Sequence, residues 1–169
     1  EQGSILDQGE TGVLEVRGPN VFKGYWRLPE KTKEEFQEDG FFITGDISRI
    51  DEDGYVHIVG RAKDMIISGG FNVYPKEIED VINQLPGVGE SAVIGLAHPD
   101  FGEAVAAVVT VTDHGQLDEV QVTDGCRRSL AGFKVPKAVF IARELPRNTM
   151  GKVQKNQLRE RYASTFRSN

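Results

Sequence analysis

Hydrophobic and polar positions alternate with a period of two over GVLEVRG, residues 12–18, and the run then meets Pro19. This predicts a half-buried strand closed by a turn. Pro29 opens the polar stretch PEKTKEEF and predicts a helix start, because proline at the first helical position gives up no intrahelical hydrogen bond. Asp39-Gly40 marks its end. Residues 47–59, ISRIDEDGYVHIV, read as two strands around an acidic turn that closes on Gly54. After Gly60-Arg61 the texture changes to alternating helices and strands. MIISGGFNV (65–73) predicts two short strands about a Gly69-Gly70 turn. Pro75 opens the helix PKEIEDVINQL, with acids in its first turn where the helix dipole favours them, and with Ile78, Val81, Ile82 and Leu85 as its apolar stripe. SAVIGLA (91–97) and AVAAVVTVT (104–112) are runs of the buried-strand type, separated by the loop HPDFG. Residues 116–131 predict a helix weakened by Gly125, AVFIA (138–142) a further strand, and residues 154–164 a last helix.

The expected fold class is therefore α+β: a short mixed sheet with flanking helices, preceded by a β-rich segment. The boundary falls near residues 60–63, giving 1–62 and 63–169 as the two parts. Composition narrows the classes of function. Of 169 residues, 38% are hydrophobic and 27% charged, as in a soluble globular protein. The formal charge of −6 argues against a nucleic-acid partner, which would meet a basic surface. No apolar run approaches the roughly 20 residues needed to cross a bilayer, so no membrane partner is expected. The start, EQGSILDQGETG, lacks the basic and apolar regions of a signal peptide. The single cysteine, Cys126, rules out an internal disulfide and a two-cysteine metal site and fits a reducing compartment, read as cytoplasmic. Cys126 itself is expected to be a small core residue. DEDG (51–54) is rejected as a calcium loop, since the glycine comes too early and no glutamate closes twelve residues. No metal ligands are assigned.

Three segments carry residue types suited to phosphate and ribose. His57, His98 and His114 lie in unrelated contexts, and no Ser/His/Asp or Cys/His arrangement emerges. In FFITGD (41–46), Asp46 follows a glycine at a strand end; its carboxylate either caps its own turn or accepts hydrogen bonds from vicinal hydroxyls. In GRAKDMIISGGFNVYPKEIE (60–79), Arg61 and Lys63 read as a solvated edge, while the Gly69-Gly70 pair permits close approach to the backbone. In PRNTMGKVQKNQLR (146–159), Lys152 sits on a loop just before a helix, either as an ordinary basic turn or as a fixed ammonium beside a transferring phosphoryl group.

Taken together, in this order and spacing, the segments resemble the C-terminal part of the adenylate-forming superfamily of acyl-CoA synthetases, peptide-synthetase adenylation domains and luciferases. The resemblance runs from GETGVLEVRGPNVFKGYWRLPEKT (9–32) through TGD (44–46), GRAKDMIISGGFNVYPKEIE and FKVP (133–136) to NTMGKVQK (148–155), the sixth to tenth core motifs of that family. The first five motifs, with the phosphate-binding loop, are not in this sequence, so a fragment is expected. GFNVYPKE and HPDFGEAV are worded most like malonyl-CoA synthetases and related small-acid CoA ligases.

The resemblance implies a small mobile lid domain, residues 63–169, following the β-rich end of a large AMP-binding domain. It implies that Asp46 and Arg61 hold the ribose of ATP, that Lys63 is the hinge, and that Lys152 is the catalytic lysine of adenylation. It implies pantetheine passing Gly69 and Gly70, and the CoA nucleotide touching Phe133 and Lys137, with Lys134 and Arg143 nearby. ATP, Mg2+, CoA and a small carboxylic acid, malonate among them, are the implied reactants, and the missing N-terminal domain the implied partner. A lid that loads a carrier protein and a non-catalytic interaction module are the alternatives. Without the large domain, Val21, Phe22, Tyr25 and Trp26 are expected to be exposed, leaving that segment mobile, protease-sensitive or paired with a second copy of itself.

Overall fold

The computed structural model describes residues 4–112 and 117–166, which fall into two compact units, residues 1–63 and 64–169. The first unit is a three-stranded antiparallel sheet in the order β1-β2-β3, from β1 (Thr11–Val16), β2 (Phe42–Ile50) and β3 (Val56–Arg61). Helix α1 (Pro29–Glu35) has proline in its first turn, and Phe36 at its end is extended. Phe22 lies edge-on to Tyr25, Phe36 and Phe42, with ring centroids 5.0 to 5.3 Å apart. Of the four side chains expected to be exposed, Val21 and Tyr25 are half-buried, while Phe22 is exposed although its ring meets this cluster. Trp26 is 85% exposed. Edge-to-face aromatic packing supplies what the short sheet lacks in burial.

The acidic turn between β2 and β3 is closed by its own first residue. Asp51 accepts hydrogen bonds from the main-chain N–H groups of Asp53 (3.1 Å) and Tyr55 (2.8 Å), and its other oxygen meets His57 Nε2. The turn-building role of this carboxylate explains a DEDG sequence without any ion.

The second unit is built on β4 (Ile66–Ser68), β5 (Phe71–Val73), β6 (Val88–His98), β7 (Gly102–Val111) and β8 (Ala138–Ala142). The order is β5-β4-β7-β6, with β8 also pairing β7. All pairs are antiparallel except β7 with β8, so the sheet is mixed, and the α+β expectation holds. The parallel pair is joined through α3 (Glu119–Ser129), the crossover that parallel strands require. β6 extends beyond its apolar run at both ends, and β7 begins two residues before its own, where the hairpin continues through Gly102 and Glu103.

β7 is buried on both faces. Val105, Ala107 and Val109 pack with Ile78 and Ile82 of α2 (Pro75–Ile82) and Val122 and Cys126 of α3. Ala106 and Val108 face the other way, toward Leu145 and Leu158, the latter on α4 (Lys155–Arg161). The continuous run AVAAVV is the sequence consequence of that two-sided burial. Val81 and Leu85 pack at the margin of the first cluster.

α3 starts at Asp118, whose side chain accepts from Gln121 N while Gln121 reciprocates, a capping box. The helix therefore begins later than residue 116, which lies outside the described residues, as does His114. Gly125 is a packing residue rather than a defect. A Cβ there would lie 2.6 Å from a Leu85 methyl, so its absence lets α3 close on α2. His98 packs against the rings of Phe101 and Phe166, at 4.7 and 5.0 Å.

Candidate active site

Asp46 and Arg61 face each other across β2 and β3. On the other side of β2 the register against β1 slips, so that Leu14 alone faces Thr44, Gly45 and Asp46. This bulge turns on Gly45, whose φ of +73° suits a residue without a Cβ. Thr44 stabilises it by donating its hydroxyl to Leu14 O (2.8 Å) and accepting from Asp46 N (3.1 Å). Freed from its own turn, the Asp46 carboxylate accepts from Arg61 Nε at 2.7 Å. Arg61 Nη1 reaches Thr44 O at 3.3 Å. Of the two roles open to Asp46 in the sequence, turn capping falls to Thr44. The resulting pair presents a half-buried carboxylate beside an exposed guanidinium, a polar couple able to receive hydroxyl groups.

Lys63 lies in the 3-10 turn Ala62–Asp64, where the two units meet in sequence. Asp64, the first residue of the second unit, accepts from Arg159 Nη2 of α4 at 2.9 Å.

Gly69 and Gly70 form the tip of the β4–β5 hairpin, with φ of +57° and +85°. Two consecutive left-handed residues define the tight hairpin turn whose twist matches its strands. A Cβ on Gly70 would meet nothing within 4 Å, so this backbone is open to approach. Gly69 N donates to Phe101 O at 2.9 Å. Phe133 stacks on Phe71 with centroids 4.5 Å apart and an interplanar angle of 20°. The Lys137 ammonium stands 5.5 Å from the Phe101 ring centroid, within cation–π range. The fold thus gathers Gly69, Gly70, Phe133 and Lys137 around two phenylalanines that the sequence reading passed over. Lys134, beside Phe133, is paired with both carboxylate oxygens of Glu77 at 2.7 Å. Glu103 is a further missed residue. Its carboxylate accepts from Ile67 N at 2.9 Å, pinning the Gly-Gly hairpin where β4 and β7 share one ladder pair.

Lys152 lies elsewhere on the unit, exposed, on the loop between the bridge partners Arg147 and Val153. Arg147 pairs with Glu90 near the start of β6, whereas the Gly-Gly hairpin attaches at Phe101, beside the His98–Gly102 pair that ends β6. Glu90 and His98 are eight residue steps apart on the strand, about 26 Å at roughly 3.3 Å per step. That span exceeds the reach of any side chain. The Lys152 loop and the Gly69-Gly70 hairpin are therefore attached toward opposite ends of β6. At the base of the lysine loop, Lys155 pairs with Glu79 at 2.7 Å, and Glu79 also accepts from Val93 N at 2.8 Å. This ties α4 to α2 and β6.

Among the described residues no group of three or more His, Cys, Asp or Glu side chains is placed to hold a metal ion. No helix among them is long and apolar enough to cross a membrane.

The mixed sheet of the second unit thus carries a glycine-tipped hairpin toward one end of β6 and a loop lysine toward the other. Residues 77–152 match the family described as AMP-binding enzyme C-terminal domain, to which this part of the chain belongs. The chain is 47% identical over 165 residues to long-chain-fatty-acid–CoA ligase FadD13 of Mycobacterium tuberculosis, covering 98% of this chain and 32% of that protein. It is 46% identical to feruloyl-CoA synthase of Amycolatopsis sp, covering 95% and 32%. The crystal structure of ATP-bound MatB from Rhodopseudomonas palustris superposes with a TM-score of 0.92 at 61% identity, covering 99% of this chain and 33% of that one. The chain spans about a third of the length of the curated relatives it matches.

Proposed function

We propose that this chain is the catalytic C-terminal part of an AMP-forming acid–thiol ligase, acting on ATP, a small carboxylic acid and CoA. The observation that carries the reading is the separation of Lys152 from Gly70 along β6. In the first half-reaction a substrate carboxylate attacks the α-phosphorus of ATP, which arrives as its magnesium complex. A P–O bond forms, the bond to the β-phosphate breaks, and pyrophosphate leaves. Lys152 offsets the charge that builds up on the attacking and phosphoryl oxygens, while Asp46 and Arg61 hold the ribose. In the second half-reaction the CoA thiol gives its proton to solvent, its sulfur forms a bond to the acyl carbon, and the bond from that carbon to the phosphate oxygen breaks to release AMP. Gly69 and Gly70 leave room for the pantetheine arm, with Phe133 and Lys137 toward the nucleotide end of CoA. Turning about Lys63 exchanges one surface of the second unit for the other, a hinge motion confined to a short turn.

Free CoA, rather than a carrier protein, is favoured by the exposed Lys137 and by the curated relatives, which are named as CoA ligases or synthases. Malonate is the acid favoured by the wording of GFNVYPKE and HPDFGEAV. The exposed Trp26 and its neighbours are where the rest of the enzyme, or a second copy of this chain, would cover the first unit. A cytoplasmic setting suits these substrates.

The test is Lys152→Ala in an enzyme of the relatives' length that ends in this chain. Pyrophosphate exchange is expected to fall by about 10²-fold or more. Thioester formation from supplied acyl-adenylate should persist. Unchanged exchange would remove Lys152 from the chemistry, and equal loss of both steps would remove the division of labour.

A further inference from the structure

Catalysis by an exposed ammonium needs a rigid main chain beneath it, since a lysine side chain is long and flexible. The loop around Lys152 meets that need through one residue. Asn148 N donates to Lys152 O at 2.9 Å, and Asn148 Oδ1 accepts from Lys152 N at 2.9 Å. Both main-chain groups of the lysine are thus held by a single side chain and its own amide. Asn148 Oδ1 also accepts from Met150 N (3.0 Å), and Asn148 O accepts from Gly151 N (2.9 Å), so the turn is closed on four bonds. Gly151, at φ +77°, supplies the left-handed step before the lysine. Arg147 then ties the turn to the sheet: Nη1 donates to Gly151 O at 2.6 Å, and the same guanidinium pairs with the Glu90 carboxylate on β6. The planar fork of the guanidinium lets one side chain serve the carbonyl and the carboxylate in a fixed geometry.

We propose that Asn148 and Arg147 are positioning residues for Lys152, Asn148 fixing its main chain and Arg147 docking the turn to Glu90. The proposal rests on the catalytic role given to Lys152 above. Neither residue touches substrate in this account. Their contribution is to hold the ammonium's root where it meets the α-phosphate, and a misplacement of about 1 Å is enough to cost up to 10²-fold in rate.

The experiment compares Asn148→Ala, Asn148→Ser, Arg147→Ala and Lys152→Ala in the enzyme that ends in this chain, measuring pyrophosphate exchange and thioester formation from supplied acyl-adenylate. Asn148→Ala and Arg147→Ala are expected to lower kcat for exchange about 10-fold to 10²-fold with KM for ATP nearly unchanged, and to leave the thioester step at the parent rate. Asn148→Ser, whose hydroxyl still accepts from nearby main-chain N–H groups, should recover much of the loss. Arg147→Ala removes an exposed side chain, so it remains informative if Asn148→Ala impairs folding. If Lys152→Ala abolishes exchange while Asn148→Ala and Arg147→Ala match the parent, the inference is overturned and the role of Lys152 stands. If Lys152→Ala leaves exchange intact, both fall. Equal loss of both half-reactions in Asn148→Ala and Arg147→Ala would show a merely structural role and also overturn it.

Discussion

Asp64 accepts a hydrogen bond from Arg159 at 2.9 Å across 95 positions of sequence, and this anchors the residue that follows Lys63 to α4. Arg61, two residues before Lys63, is anchored to Asp46 at 2.7 Å. Only Ala62 and Lys63 lie between the two anchors, and the proposed hinge falls on that pair. A hinge works in this way when a few residues absorb the rotation and their neighbours do not.

Arg159→Ala should therefore loosen the second unit from its first residue. The pair is only partly exposed, and its loss is expected to lower the stability of residues 64–169 by about 1 kcal/mol. Urea unfolding of the isolated chain, with hydrogen exchange at Asp64 and Met65, measures both effects. An unchanged midpoint and unchanged exchange would show that the anchor is idle.

Gly70→Ala places a Cβ on a residue at φ +85°, where an L side chain costs about 1–2 kcal/mol. The space around that Cβ is open, so the unit should still fold. Gly70→Leu adds bulk in the proposed pantetheine path and should block thioester formation while sparing pyrophosphate exchange. A normal dependence on CoA in the leucine variant would place the thiol's path elsewhere.

Burial pushes the Cys126 thiol up from 9.0 to about 11. A group raised in the folded state stabilises the fold fully below its ordinary value, and that contribution is lost as pH rises through the raised one. The second unit should thus lose stability between pH 9.0 and about 11 in a way that Cys126→Ala does not share. At pH 8 the native thiol should resist alkylation and react only as the unit opens. Rapid labelling of the folded chain would contradict the burial.

The Asp51 carboxyl is held below its usual 3.8, chiefly by the bond to His57 and then by the Tyr55 N–H. A lowered carboxyl contributes above its ordinary value and loses that contribution as pH falls through the folded one. The β2–β3 turn should accordingly loosen below pH 3.8, before the core of the second unit does. Amide chemical shifts of Asp53 and Tyr55 followed down in pH, with Asp51→Asn as the comparison, report it directly.

Local chemistry was readable from the sequence wherever a few adjacent residues settle the outcome. Pro29 and Pro75 begin helices because proline suits a first turn, Gly69-Gly70 makes a hairpin tip because both positions need positive φ, and AVAAVV is buried because nothing in it is polar. The α+β class followed from those elements. What the sequence could not decide were relations between distant residues. That Asp46 pairs with Arg61 and leaves turn capping to Thr44 depends on a bulge set by the register of β1. That Lys134 is spent on Glu77, that Gly125 is a contact with Leu85, and that Glu103 pins the Gly-Gly hairpin are facts of packing between separate elements. The distance between Lys152 and Gly70 belongs to the same kind: it is fixed by the length of β6 and by which ends of it the two loops reach. Side chains meet through the paired strands, and pairing is a property of the tertiary fold.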